Sequence, residues 1–133
     1  MNRQPFLLLM AGVLTIGAAA AQGPYADLQV RPIKSLSDQQ VADLKAGRGM
    51  GLALAAELNG YPGPSHLLEL ADQLSLSDAQ RNIVRSMFEA MKAETIPIGE
   101  RLIAQETALD ALFAEHKVTP ETLAAATAEI GDT

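Results

Sequence analysis

The sequence predicts a single, entirely α-helical domain within its 133 residues. Alanine and leucine are its most frequent residues and aromatic residues make up only 4%, a composition that favours helices over sheets. Apolar residues recur at intervals of three and four, and several segments open with residues that cap helices. Because the chain has no cysteine, a disulfide scaffold, a thiolate metal site and a thiol nucleophile are excluded.

The first segment is predicted to be an export signal. Residues 1–21 combine a short stretch carrying Arg3, an apolar run that begins at Phe6 and a small-residue ending at Ala21, which is typical of a cleavable signal peptide. The run is shorter than the roughly 20 residues of a spanning helix. We therefore expect cleavage between Ala21 and Gln22, a periplasmic location and no stable membrane insertion afterwards.

The charge of the chain excludes a further class of partner. Its formal net charge is −6 at pH 7, and removal of the segment that carries Arg3 makes the charge more negative still. Nucleic-acid binding needs a basic surface, so no nucleic-acid partner is expected. Because no disulfide can form, stability must come from helix packing or self-association.

The domain is predicted to start after an arm. Residues 22–34 contain two prolines and no sustained period, which indicates an extended N-terminal arm before one helical domain at 35–133. Ser37 and Gln40 have the spacing of a capping box and predict a short helix. The glycines within 47–51 are interpreted as a flexible joint, because no strand precedes them and no Gly-Lys-Ser/Thr follows.

Two short helices are predicted before the longest one. The apolar run from Leu52 to Asn59 indicates the first, and Ser65 is the candidate N-cap of the second. Four residues at i, i+3, i+4 and i+7 of the second helix are expected to face the core: Leu67, Leu70, Ala71 and Leu74.

The longest predicted helix begins at the capping box of Ser77 and Gln80 and runs to about Lys117. At 1.5 Å per residue it would be about 60 Å long, roughly twice the width of so small a domain, so it needs a partner surface. Pro97 removes one backbone hydrogen bond inside it and predicts a kink. Pro120, at a first helical position, opens a short C-terminal helix.

Metal binding is the chemistry for which the sequence offers ligands. His66 and Glu69 would share one helix face, but two donors make only half of a zinc site, so His116 or a second chain would have to complete it. The alternatives are local hydrogen bonding by His66 and a helix-dipole position for His116. The Met87 and Met91 pair is interpreted as packing rather than a copper site. We expect no required cofactor, and zinc or copper is the ion that such a site would take. The sequence contains no nucleophile–base pair and no cofactor fingerprint, which predicts that the protein is not an enzyme.

The segment LSDAQR, with Leu76, Ser77, Gln80 and Arg81, stands at the head of the long helix. In an exported, cysteine-free helical chain it resembles the Leu-Thr-x-x-Gln motif of the periplasmic Spy/CpxP/ZraP family. Ser77 replaces the usual threonine and keeps the hydroxyl that caps the helix. The stretch 47–103 looks like the branch of this family described as periplasmic heavy-metal sensors.

The resemblance implies a non-enzymatic envelope stress protein: a bent helical cradle, an antiparallel homodimer, that shields unfolded or damaged clients or contacts an envelope sensor protein. The alternative function that the resemblance implies is that of a zinc- or copper-binding sensor or resistance protein. Family members carry the motif again on a last helix, whereas this chain reaches Thr133 first, so we expect a truncated version with part of the long helix uncovered. The apolar surface for a client or a second chain is expected from five residues: Met87, Phe88, Met91, Ile98 and Leu102.

Overall fold

The computed structural model describes residues 25–133, and the predicted signal peptide lies outside them. The described chain is helical and contains no strand, which confirms the predicted fold class. None of the described helices is long and apolar enough to cross a membrane. The helices are α1 (Ala26–Gln29), α2 (Asp38–Ala46), α3 (Leu54–Glu57), α4 (Pro64–Glu69), α5 (Asp78–Ala114) and α6 (Pro120–Gly131).

The long helix α5 is the element on which the fold is built. Helices α2, α4 and α6 each pack against α5, and no other pair of helices in the described part of the chain approaches closely. The helices are therefore attached to one central helix and do not enclose a common core. As a result, Ile33 and Ala71 are the buried hydrophobic residues of the described chain.

Helix α5 is somewhat shorter than the sequence predicts. It spans 37 residues, about 56 Å, and Pro97 lies within it. At its end His116 takes a positive φ of 55°, and the amides of His116 and Lys117 donate to the carbonyls of Phe113 and Leu112. This is the hydrogen-bond pattern of a Schellman motif, so the helix stops because the backbone turns left-handed at His116.

Both predicted capping boxes are confirmed. The backbone amide of Gln80 donates to the Ser77 hydroxyl at 3.3 Å, and the Ser77 amide donates to Oε1 of Gln80 at 2.9 Å. The corresponding distances between Ser37 and Gln40 are 3.1 and 2.9 Å. Each box satisfies amides that the first turn of a helix leaves without an intrahelical partner.

Helix α6 begins with Pro120 at its first position, as predicted, and with a third capping box, formed by Thr119 and Thr122. The sequence did not indicate this box, because a threonine occupies the position where glutamate or glutamine is usual. Hydrogen bonds from the backbone amide of Glu121 and from the side chain of Thr119 hold the pKa of Glu121 below its ordinary value. Hydrogen bonds of this kind favour the charged form of a carboxyl group.

The prediction of an extended N-terminal arm is wrong for its described part. Residues 26–29 form α1, and Ile33 is buried. Just beyond the arm, the Ser35 hydroxyl donates to Oε2 of Glu106 on α5 at 2.7 Å. The segment before α2 therefore packs against the central helix.

Helix α4 begins and ends earlier than predicted. Its N-cap is Gly63, with Pro64 at the first helical position, so Ser65 lies inside the helix and is not its cap. The helix ends at Glu69. Beyond that point the predicted core stripe breaks up: Ala71 is buried, whereas Leu70 and Leu74 are 43% and 49% exposed.

Candidate functional site

The LSDAQR segment fixes the junction between α4 and α5. The Arg81 guanidinium donates from Nε to the Leu76 carbonyl at 3.0 Å and from Nη2 to the Asp72 carboxylate at 2.7 Å. Together with the capping box of Ser77 and Gln80, these bonds hold the turn against the first helical turns of α5. The four motif residues therefore position the helix and contain no reactive group.

Replacing Ser77 with alanine is expected to lower the free energy of unfolding by about 1 kcal/mol, because the Gln80 amide loses its acceptor. Urea unfolding followed by circular dichroism measures this change. The matched control is Ser77→Thr, which keeps the hydroxyl and should retain nearly all of the stability. Equal losses in the two variants would contradict a capping role.

A cavity of about 420 Å³ lies between the end of α2, the start of α4 and the N-terminal half of α5. It brings together two of the predicted metal ligands and two residues of the predicted apolar surface. Two basic side chains also line it. The six residues that give the cavity its chemistry are Arg48, His66, Glu69, Phe88, Met91 and Lys92.

His66 pairs with a residue that the sequence did not indicate. Its Nδ1 lies 2.9 Å from Oε1 of Glu57, the last residue of α3. On the same cavity, Lys92 Nζ lies 5.6 Å from the centroid of the Phe88 ring, within reach of a cation–π interaction. Arg48 also lines the cavity, but its Nε lies 2.6 Å from Oδ1 of Asp43. Its charge is therefore partly balanced, while the Lys92 ammonium opposes the binding of a metal cation through charge repulsion.

His116 stands apart from this cavity. It follows the C-terminal end of α5, and the length of helix beyond Lys92 separates the two positions by roughly 35 Å. Among residues 25–133, no three histidine, aspartate or glutamate side chains form a group that could hold a metal ion. One chain thus brings His66 and Glu69 to one cavity and leaves His116 elsewhere.

The predicted apolar surface of α5 is divided between two environments. Met87 and Ile98 are 61% and 40% exposed. Phe88 and Met91 line the cavity under α2 and α4, and Leu102 is half-buried. Only the first two residues are therefore open for contact with another molecule.

The exposed face of α5 continues the face that α6 covers. Gln105 and Leu112 line a groove shared with α6. Ile98 precedes Gln105 by seven residues and Met87 precedes Ile98 by eleven, so both fall on the same side of the helix as the groove. Further toward the N-terminus, Ile83 is 56% exposed. In the described chain α6 covers only the later half of this face.

A second apolar surface, which the sequence did not indicate, lies around α3. We call residues 49–63 the α3 tip. Within it Leu52, Leu58 and Tyr61 are 86%, 77% and 74% exposed, and α3 packs against no other described helix. The sequence signal that could have indicated this surface is a run of fifteen residues with a single charged residue, Glu57.

Comparison with family models, curated proteins and solved structures finds no match for this chain. The resemblance to the Spy/CpxP/ZraP family therefore depends on the LSDAQR segment and on the arrangement of the predicted helices around it.

Proposed function

We propose that the protein is a non-enzymatic periplasmic stress-response protein that shields unfolded or damaged clients, as members of the Spy/CpxP family do. The observation that carries this proposal is the exposure of its apolar side chains. Two hydrophobic residues of the described chain are buried, whereas fifteen large ones are exposed. Where several such residues lie close together, as at residues 50–61, exposed apolar surface is typical of sites that contact other macromolecules. The periplasmic location rests on the signal-like sequence of residues 1–21.

An antiparallel homodimer is part of this proposal. The open face of α5 carries Ile83, Met87 and Ile98, and a second copy of the same face would remove them from water. Burial stabilises by about 25 cal/mol for each Å² of apolar surface. A stable interface needs about 800 Å² from each partner, which only a long element such as α5 can supply here.

The proposal is tested by aggregation of reduced α-lactalbumin, followed by light scattering. Since this chain has no cysteine, the reductant that unfolds the client leaves it unchanged. Residues 22–133, purified without the signal segment, should suppress the scattering, while an inert protein of similar mass should not. Full aggregation at a stoichiometric excess of the protein would overturn the proposal.

A second candidate function is zinc or copper binding, which is favoured by one observation. His66, Glu69 and Met91 line the same cavity, and an imidazole, a carboxylate and a thioether are all groups that bind transition metals. Calorimetric titration with each ion should then give a signal that His66→Ala removes and the distant His116→Ala leaves intact. Affinity no tighter than millimolar, or equal in wild type and His66→Ala, would overturn this function.

A further inference from the structure

We propose that the α3 tip is the element that contacts clients, and that it selects uncharged, apolar segments of unfolded polypeptides. This inference rests on the proposed function and names the chemistry of the partner. It differs from the expectation drawn from the sequence, which placed the client surface on α5.

The large apolar side chains of the α3 tip are exposed. Leu52, Leu54 and Leu58 are 86%, 53% and 77% exposed. Tyr61 and Met50 are 74% and 41% exposed. No other stretch of fifteen residues in the described chain holds five such side chains. Apolar side chains that a partner covers stabilise the contact in proportion to the area removed from water, so a few contacts are enough for weak, reversible binding.

The α3 tip presents no charged side chain to a partner. The one charged residue of the tip, Glu57, is turned back onto α4, with Oε1 2.9 Å from Nδ1 of His66 and only 25% of its side chain exposed. The outward side of the tip therefore carries no charge. A charged partner would lose water from its own ions without compensation, whereas an uncharged apolar segment has no such cost.

The α3 tip differs in shape from the surface proposed for contact between two copies of the chain. Helix α3 has four residues, and the chain on either side turns at Gly51 and Gly60, with φ of 79° and 87°. The apolar residues of the tip therefore lie on turns of changing direction and not along one regular helix face, such as the open face of α5 that is proposed for the dimer. Small, irregular and apolar, the tip is suited to transient contact with an extended segment.

The test uses the double variant Leu52→Ser/Leu58→Ser in the α-lactalbumin assay. Its matched control is Tyr25→Ser/Val30→Ser, which removes two apolar residues that are 67% and 83% exposed, outside both the tip and α5, and which should leave suppression unchanged. The tip variant should need at least tenfold more protein for half-suppression, because the loss of one fully covered leucine already weakens an apolar contact by about tenfold. Its unfolding temperature should match that of the wild type, because Leu52 and Leu58 are 86% and 77% exposed and lose little packing. Suppression by the wild type should be the same at low and high salt.

The outcomes separate this inference from the proposed function. Absence of suppression by the wild type would overturn both. Suppression by the tip variant equal to that of the wild type would overturn the inference alone. The inference would also be overturned if the tip variant kept full suppression but lost self-association, because the tip would then contact a second copy. The same holds if the tip variant lost only its binding to phosphatidylcholine vesicles, because the tip would then contact a lipid surface. If serine lowers the unfolding temperature, Leu52→Ala/Leu58→Ala provides the same comparison.

Discussion

Replacing Gly99 with alanine is expected to destabilise the protein by about 1–3 kcal/mol. Gly99 is the buried residue of α5, and a Cβ atom there would lie 2.6 Å from the backbone carbonyl oxygen of Leu44 in α2. That oxygen cannot move without the helix that carries it. The substitution therefore forces α2 away from α5, and this loss must exceed the roughly 1 kcal/mol that alanine gains over glycine inside a helix.

Thermal unfolding followed by circular dichroism measures the loss, and 1 kcal/mol corresponds to a shift of about 4–8 °C in a domain of this size. The matched control is Gly131→Ala in α6, where a Cβ atom meets nothing within 4 Å. That variant should hold or raise the unfolding temperature. A rise of similar size in both variants would show that α2 does not lie against Gly99.

The helix starts could be predicted because their signals are local. A hydroxyl at Ser37 or Ser77 with a glutamine three residues later determines where a helix begins, whatever the chain packs against. The role of Gly99 could not be predicted in this way, because it depends on α2, more than fifty residues earlier. The end of α5 could not be predicted either, because His116 takes the left-handed conformation at a position where glycine is usual.

In the candidate site, too, local spacing could be predicted from the sequence, whereas contacts between distant residues could not. His66 and Glu69 lie on one cavity, which their spacing of three residues could indicate. The partner of His66 is Glu57, across the turn between α3 and α4, and no helical spacing connects these two residues. The α3 tip was missed for a related reason: an apolar run indicates burial only if another element covers it, and none of the described helices packs on α3.

Replacing Pro97 with alanine is expected to raise the free energy of unfolding by about 1–3 kcal/mol. Pro97 is exposed and lies inside α5, so little packing is lost, while the new amide can donate to the carbonyl of Ala93. The gain falls below the full proline penalty because Ala93 is exposed, and water already satisfies part of its bonding. Urea unfolding measures the change, and Ala104→Pro, at another exposed position of α5, is the control of opposite sign, with a loss of about 3 kcal/mol.

A loss of stability in Pro97→Ala would contradict this expectation and would connect the proline to the packing of α2. Pro97 precedes Gly99 by two residues, and the proline ring crowds the carbonyl four residues earlier and bends a helix. If that bend brings Gly99 against Leu44, a straightened α5 would weaken the contact. Combining Pro97→Ala with Gly99→Ala distinguishes the two cases: independent sites give additive changes in unfolding free energy, whereas sites that act through one contact do not.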